Sequence, residues 1–182
     1  MRVKGTVIIA RLDFARSKGP EVLERFYAAL DPGTREMLQG VLPNQWFPYE
    51  LNCEITRVID RVAGSGDLSL CEEMGRFACD ANVPRFLRAF LRLGSIEFFL
   101  NRAAAAWRAH YDTGSMEVIK LGPKKVRLRL VGIPNECHAQ CLSVVGFVKR
   151  AGELTGTTIA SGSVTACRER GAQECELTGS WH

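Results

Sequence analysis

The chain has no apolar run near the roughly 18 residues that a membrane-spanning helix needs. Its N-terminal apolar run, Val7 to Ala10, is too short for the core of a signal peptide, and no small-residue cleavage site follows it. A cytosolic chain with no membrane span is therefore expected. There is no glycine-rich phosphate loop, no G-x-S-x-G and no H-E-x-x-H, which removes the common signatures of nucleotide, serine and zinc-hydrolase chemistry. Histidine is scarce: only His110, His138 and His182 occur. Internal repeats and low-complexity tracts are absent, so a solenoid or a disordered chain is excluded. Charge of one sign is also lacking. The net charge of +4 allows an acidic partner but does not demand nucleic acid.

What the chain does have is cysteine. Seven thiols are present. A reducing compartment keeps them unpaired, and an odd number argues against a closed disulfide framework. They are core filler, metal ligands or reactive groups. The remaining composition, 46% apolar and 24% charged in 182 residues, is that of an ordinary globular protein.

Periodicity divides the chain into halves. Residues 1–114 read as helices, and 115–182 read as alternating strands around one helix. The spacing predicts helices over Glu21 to Leu30, Thr34 to Leu38 (capped by Thr34) and Tyr49 to Val62. The opening stretch Val3 to Ala10 has strand propensity, but Val7, Ala10, Phe14 and Ala15 share a helical face, and a helix is expected. Pro43 to Pro48 reads as a loop. Asp67 or Ser69 is expected to cap a helix carrying Leu70, Met74, Phe77 and Ala78. Pro84 should kink it, and Phe86, Leu87, Phe90 and Leu91 continue it. Ser95 then caps one long helix with Phe99, Ala103, Trp107 and Tyr111 on a stripe.

In the second half, Met116 to Leu121 and Lys125 to Val131 predict a hairpin across Gly122-Pro123. Its apolar face is Val126, Leu128 and Leu130, and Lys125, Arg127 and Arg129 alternate with them. Cys137 to Leu154 predicts a helix with Cys141, Val144, Val145, Val148 and Ala151 inward. Thr157 to Thr165 and Glu174 to Trp181 predict two closing strands. The order gives an α+β fold: a helical half, then β-β-α-β-β, with an antiparallel sheet packed on helices. One domain spanning 1–182 is expected.

Four cysteines fall in the last third: Cys137, Cys141, Cys167 and Cys175. The closing hairpin brings Cys167 and Cys175 together, and a helix packed on it can add Cys141. Thiolates suit zinc, which takes four N or S ligands in structural sites. The C-x7-C spacing alone matches no common zinc finger.

The tail Cys167-Arg-Glu-Arg-Gly171-Ala-Gln-Glu-Cys175, with Cys141 26 residues before Cys167, resembles the closing hairpin of four-vinyl-reductase-type sensor domains. The resemblance implies that these three thiols hold zinc. The family's fourth ligand, a Glu three residues before the first hairpin cysteine, is replaced here by Val164. His138 or Cys137 is then the candidate substitute. The entry stretch Gly5-Thr-Val-Ile-Ile-Ala-Arg-Leu-Asp-Phe14, followed by Glu21-Val-Leu-Glu-Arg-Phe26, resembles the haem nitric-oxide-binding domains, which share that fold with TRAPP tethering-complex subunits. Together with Trp46-Phe-Pro-Tyr49, Leu91-Arg-Leu-Gly-Ser95 and Trp107-Arg-Ala-His-Tyr111-Asp-Thr-Gly114, the whole chain most resembles a paralogous family of myxobacteria. The haem-binding relatives use a proximal His and a Tyr-x-Ser-x-Arg motif, and neither is recognisable here. His110 is the candidate axial ligand, and haem is not expected.

The resemblance implies a non-enzymatic sensor that binds a small apolar ligand between helices and sheet. It would signal through a homodimer or a partner protein. Phe99, Trp107 and Tyr111, with Leu128, Leu142 and Val145 opposite, are the expected pocket residues, and Phe98 belongs to the same aromatic stripe. The competing expectation is a ligand-free interaction scaffold of the TRAPP-subunit type. The basic positions Lys120, Lys124, Lys125, Arg127 and Arg129 read as a solvated strand face rather than a nucleic-acid surface. Catalysis would need Cys141 and His138 as a thiol–imidazole dyad at i, i+3 spacing, with a shifted thiol pKa. Cys53, Cys71 and Cys79 read as helical core filler.

Overall fold

Strand β1 (Arg2–Lys4) leads directly into helix α1 (Gly5–Ser17), so the opening stretch is a short strand followed by the expected helix. The structure is a computed structural model describing residues 1–82, 95–134 and 137–182. The predicted kink at Pro84, and Phe86, Leu87, Phe90 and Leu91 after it, lie outside the described residues. Helix α1 buries one broad face, Val7, Ile8, Ala10, Arg11, Leu12, Phe14 and Ala15, and leaves Thr6, Ile9 and Asp13 half-buried and Arg16 exposed on the other. Through that broad buried face α1 packs against α2 (Pro20–Ala28), α4 (Tyr49–Ala63) and α5 (Leu70–Asn82).

Between these, α3 (Pro32–Met37) is capped by Asp31, whose carboxylate accepts from the N–H groups of Gly33 and Thr34 at 2.9 and 3.0 Å. The cap expected at Thr34 is thus three residues earlier. Pro32 takes the first helical position, which needs no N–H donor. The stretch expected to be a loop contains β2 (Trp46–Pro48), which pairs antiparallel with β1. Neither Asp67 nor Ser69 holds the start of α5 alone. Asp60, buried on α4, accepts from Leu68 N–H at 2.7 Å and Leu70 N–H at 2.9 Å. Leu68 has φ +70°, a left-handed backbone at a residue with a branched side chain.

Ser95 caps α6 (Ile96–Leu100) by accepting from Phe98 N–H. The long helix expected there is two: α6 stops at Asn101 and Arg102, and α7 (Ala103–His110) restarts. Phe98 is 49% exposed and turns away from the interior, its ring 3.7 Å from the Arg102 guanidinium carbon.

The second half is β3 (Ser115–Gly122), β4 (Lys125–Val131), α8 (His138–Leu154), β5 (Ile159–Ala166) and β6 (Cys175–Trp181). They form a four-stranded antiparallel sheet in the order β3-β4-β6-β5. Val126, Leu128 and Leu130 are buried as the alternation predicts. On the opposite face Arg129 stands directly across from Glu176 and reaches it at 3.2 Å and Glu174 at 3.0 Å, while Arg127 reaches Glu176 at 3.3 Å. Cross-strand ion pairs thus match Arg127 and Arg129 of the basic face. Helix α8 lies across the inner face of the sheet, and α5 packs along α8 on its other side. The architecture is α+β, with helices stacked on one face of an antiparallel sheet. No described helix is long and apolar enough to cross a membrane.

Candidate functional site: a thiol triad and a cavity on one helix

The three C-terminal cysteines meet. Cys167 follows β5, and a one-turn 3-10 helix, Arg168–Arg170, reverses the chain to Cys175 at the start of β6. Gly171 closes that turn with φ +88°, the left-handed region that glycine adopts without strain. The register places the two cysteines side by side, with Sγ atoms 3.9 Å apart. Helix α8 brings Cys141 onto them, and all three Sγ atoms lie within 4.8 Å of one another and are buried.

Electrostatics divides the triad. The Cys175 thiol is pushed down to about 6 because it accepts hydrogen bonds from the Cys141 thiol, the Arg168 backbone N–H and the Cys167 thiol; burial opposes this. Cys141 is held well above the ordinary thiol range, because it donates its proton to Cys175 and is buried. Cys167 is raised chiefly by burial. An acidified thiol hydrogen-bonded to two others is an arrangement suited to a soft cation.

Zn–S bonds near 2.3 Å in a tetrahedron place sulfurs about 3.8 Å apart, so the Cys167–Cys175 separation fits zinc as found. Neither proposed fourth ligand belongs to the cluster. Cys137 takes the N-cap position of α8 without a side-chain cap, and its thiol accepts from Cys53, which lowers its pKa and raises that of Cys53. Cys53, expected as filler, is therefore half of a second thiol pair. Cys71 and Cys79 are fully buried in α5. The His138 backbone N–H donates to Glu169, and its ring Nδ1 is buried without a partner. Val164 is half-buried and packs against the core, opposite Leu177.

The cavity lies elsewhere. Phe99, Trp107 and Tyr111 line a cavity of about 100 Å³ bounded by α1, α5, α6, α7 and α8; crevices and the open mouth bring its empty space to about 690 Å³. Trp107 stacks on Tyr111 with ring centroids 4.1 Å apart, and its indole N–H donates to Thr113 O. Leu128 and Val145 instead line a smaller gap of about 40 Å³ between α8 and the sheet, and Leu142 lines neither. The sheet contributes only Met116 to the larger cavity, which is thus walled by helices. Sequence reasoning missed its polar edge, Arg11, Gln140 and Ser143. The partners of Arg11 are 45, 63 and 132 residues away, so no local spacing marks it.

No family model and no curated protein matches the chain. Solved structures do match. The Fe(II) form of a variant H-NOX protein from S. oneidensis superposes with a TM-score of 0.73 at 14% identity, covering 98% of this chain and 96% of that one. Unliganded Fe(II) H-NOX from K. algicida gives 0.72 at 10% identity, with the same two coverages. An oxygen-binding H-NOX domain related to soluble guanylate cyclases gives 0.68 at 9%, covering 98% and 94%. The fold is the H-NOX fold.

That fold implies haem, and the residues here do not fit it. His110 lines the cavity with Nδ1 on Ala106 O at 2.9 Å, which leaves the other ring nitrogen for a ligand. A cavity of about 100 Å³ is nevertheless below the roughly 300–1,000 Å³ of ordinary ligand sites, and a porphyrin belongs at the upper end. The stacked Trp107 and Tyr111 occupy the interior, and no Tyr-x-Ser-x-Arg segment exists to hold propionates.

Proposed function

We propose that the chain is a non-enzymatic sensor module, taking a small ligand in the helical cavity and passing its occupancy to a homodimer partner or another protein. The carrying observation is an aromatic-walled cavity with a polar edge inside an H-NOX fold. Solved proteins of this fold are described as binding NO or oxygen. Catalysis at Cys141 is disfavoured. Its thiol is held protonated, and the triad does not include His138.

Trp107 reports on the cavity. Titration with single-ring aromatics and short acyl compounds is expected to give a saturable change in tryptophan emission, lost in Trp107→Phe. No saturable change up to millimolar concentrations, with the protein folded, would favour the closed scaffold instead.

The second element of this reading is zinc on Cys141, Cys167 and Cys175, cross-linking α8 to the β5–β6 hairpin. Bound there, zinc supplies a fixed charge and leaves one coordination position to a ligand from outside the triad. Elemental analysis of protein purified without a histidine tag should find one zinc per chain, and Cys175→Ser should lose it. Substoichiometric metal that is unaffected by Cys167→Ser and Cys175→Ser would exclude the site.

A further inference from the structure

The cavity is edged by a buried cation that has no anion. Arg11 is 2% exposed. Its Nε donates to Thr56 Oγ1 at 3.1 Å, Nη1 to Met74 O at 3.3 Å and Nη2 to Ser143 Oγ at 2.6 Å. A guanidinium carries five N–H donors and stays charged at any physiological pH, so two donors and the whole charge remain unmatched by these neutral acceptors. No ion pair reaches Arg11 among the described residues. Asp60, the buried carboxylate on α4, is engaged by the N–H groups of Leu68 and Leu70. Burial depresses the Arg11 pKa, and thiols and a phenol, not carboxylates, lead the groups that oppose it.

A phenol lies beside the guanidinium at the same cavity. The Tyr111 hydroxyl accepts from Gln140 Nε2 at 2.7 Å, and Gln140 is itself held by Asn52 Nδ2 at 2.8 Å. This fixes Tyr111 as an acceptor toward Gln140, and among the described residues no acceptor takes its own proton. Burial keeps that phenol protonated. Guanidinium donors and a phenol donor thus edge the same cavity. Asn82 and His110 add polar groups to the lining, His110 with Nδ1 turned to Ala106 O, and the remaining wall is mainly apolar, with Val7, Ala78, Phe99, Ala103, Val144 and Phe147.

Buried charges in proteins are matched by an opposite charge. An anion with a short apolar body satisfies both parts of this cavity. A phosphate does not: it carries up to two charges against one permanent cation, and it offers nothing to the apolar walls. We infer that the cavity selects a small carboxylate, its anionic end held by Arg11 and Tyr111 and its body against Phe99 and Phe147. The inference rests on the proposed ligand-binding role of the cavity and names the class of ligand.

Paired isosteres test it: benzoate against benzamide and butyrate against butyramide, by calorimetric titration at constant ionic strength. Each acid should bind the parent protein at least about tenfold more tightly than its amide, the scale of a charge-assisted hydrogen bond. Tyr111→Phe should narrow that preference severalfold, and Arg11→Met should abolish it. Because Arg11 joins four helices, Arg11→Met is interpreted only if it folds; the isostere comparison on the parent protein stands without it. Equal binding of acid and amide overturns the carboxylate assignment and leaves the sensor reading intact. Displacement of benzoate by nitrate or inorganic phosphate at equal concentration overturns it in favour of a plain anion site. Binding of neither acid nor amide removes the ligand-site reading and this inference together.

Discussion

Gly146→Ala is expected to destabilise the protein by about 3 kcal/mol or more. A Cβ at Gly146 would lie 1.9 Å from Glu72 O and 2.7 Å from Glu72 C, both backbone atoms of α5. Gly75, on α5, makes the reciprocal contact: its Cβ would lie 1.9 Å from Ser143 O on α8. The two helices therefore cross backbone to backbone, and no side-chain rotation relieves either clash. Helix propensity argues the other way, since alanine is better than glycine in a helix interior by about 1 kcal/mol. The clash wins, because the helices must separate to relieve it and the close packing along the rest of α5 and α8 is lost. One separation accommodates both methyl groups, so Gly75→Ala combined with Gly146→Ala should cost less than the sum of the two. Urea unfolding of the three variants measures this. A single variant as stable as the parent would refute the close crossing.

The second large effect is expected at Asp60. Asp60→Ala should cost about 3 kcal/mol, because two charge-assisted hydrogen bonds from a buried carboxylate to half-buried backbone donors are lost together. The same carboxylate holds Leu68 in its left-handed conformation, which by itself costs about 1–2 kcal/mol. Asp60→Asn keeps the shape but only one acceptor oxygen, and should fall between Asp60→Ala and the parent. Hydrogen exchange at Leu70 and Cys71 should accelerate in Asp60→Ala before exchange in the sheet does. A loss under about 1 kcal/mol in denaturant would show that α5 starts without this cap.

These two sites show which parts of the fold are legible in sequence. Strand β4 runs over the seven residues that its alternation marks, because period-two burial is a local property. Cys167 and Cys175 meet for the same reason, because one hairpin register places them, whereas Cys141 joins them through the packing of α8 on the sheet. The break between α6 and α7 was hidden, because Ala103 to Ala106 favours helix strongly enough to mask Asn101 and Arg102. Thr157 and Thr158 have strand propensity, yet β5 begins at Ile159; the Thr157 hydroxyl is hydrogen-bonded to Thr155 at the end of α8. The capping role of Asp60, the partners of Arg11 and the Gly75–Gly146 crossing depend on segments brought together only by the tertiary fold. Helical spacing placed Phe99, Trp107 and Tyr111 together but could not say that helices, rather than the sheet, wall the cavity.

Helix α8 carries Cys141 toward the triad, and Gln140, Ser143, Val144 and Phe147 toward the cavity, within three turns of one rod clamped by glycine against α5. Two binding equilibria sharing one rigid body obey a closed thermodynamic cycle. Whatever factor a metal at the thiols imposes on the affinity of the cavity, an occupant of the cavity imposes the same factor on the affinity for the metal. Measuring either dissociation constant with and without the other ligand therefore determines both couplings.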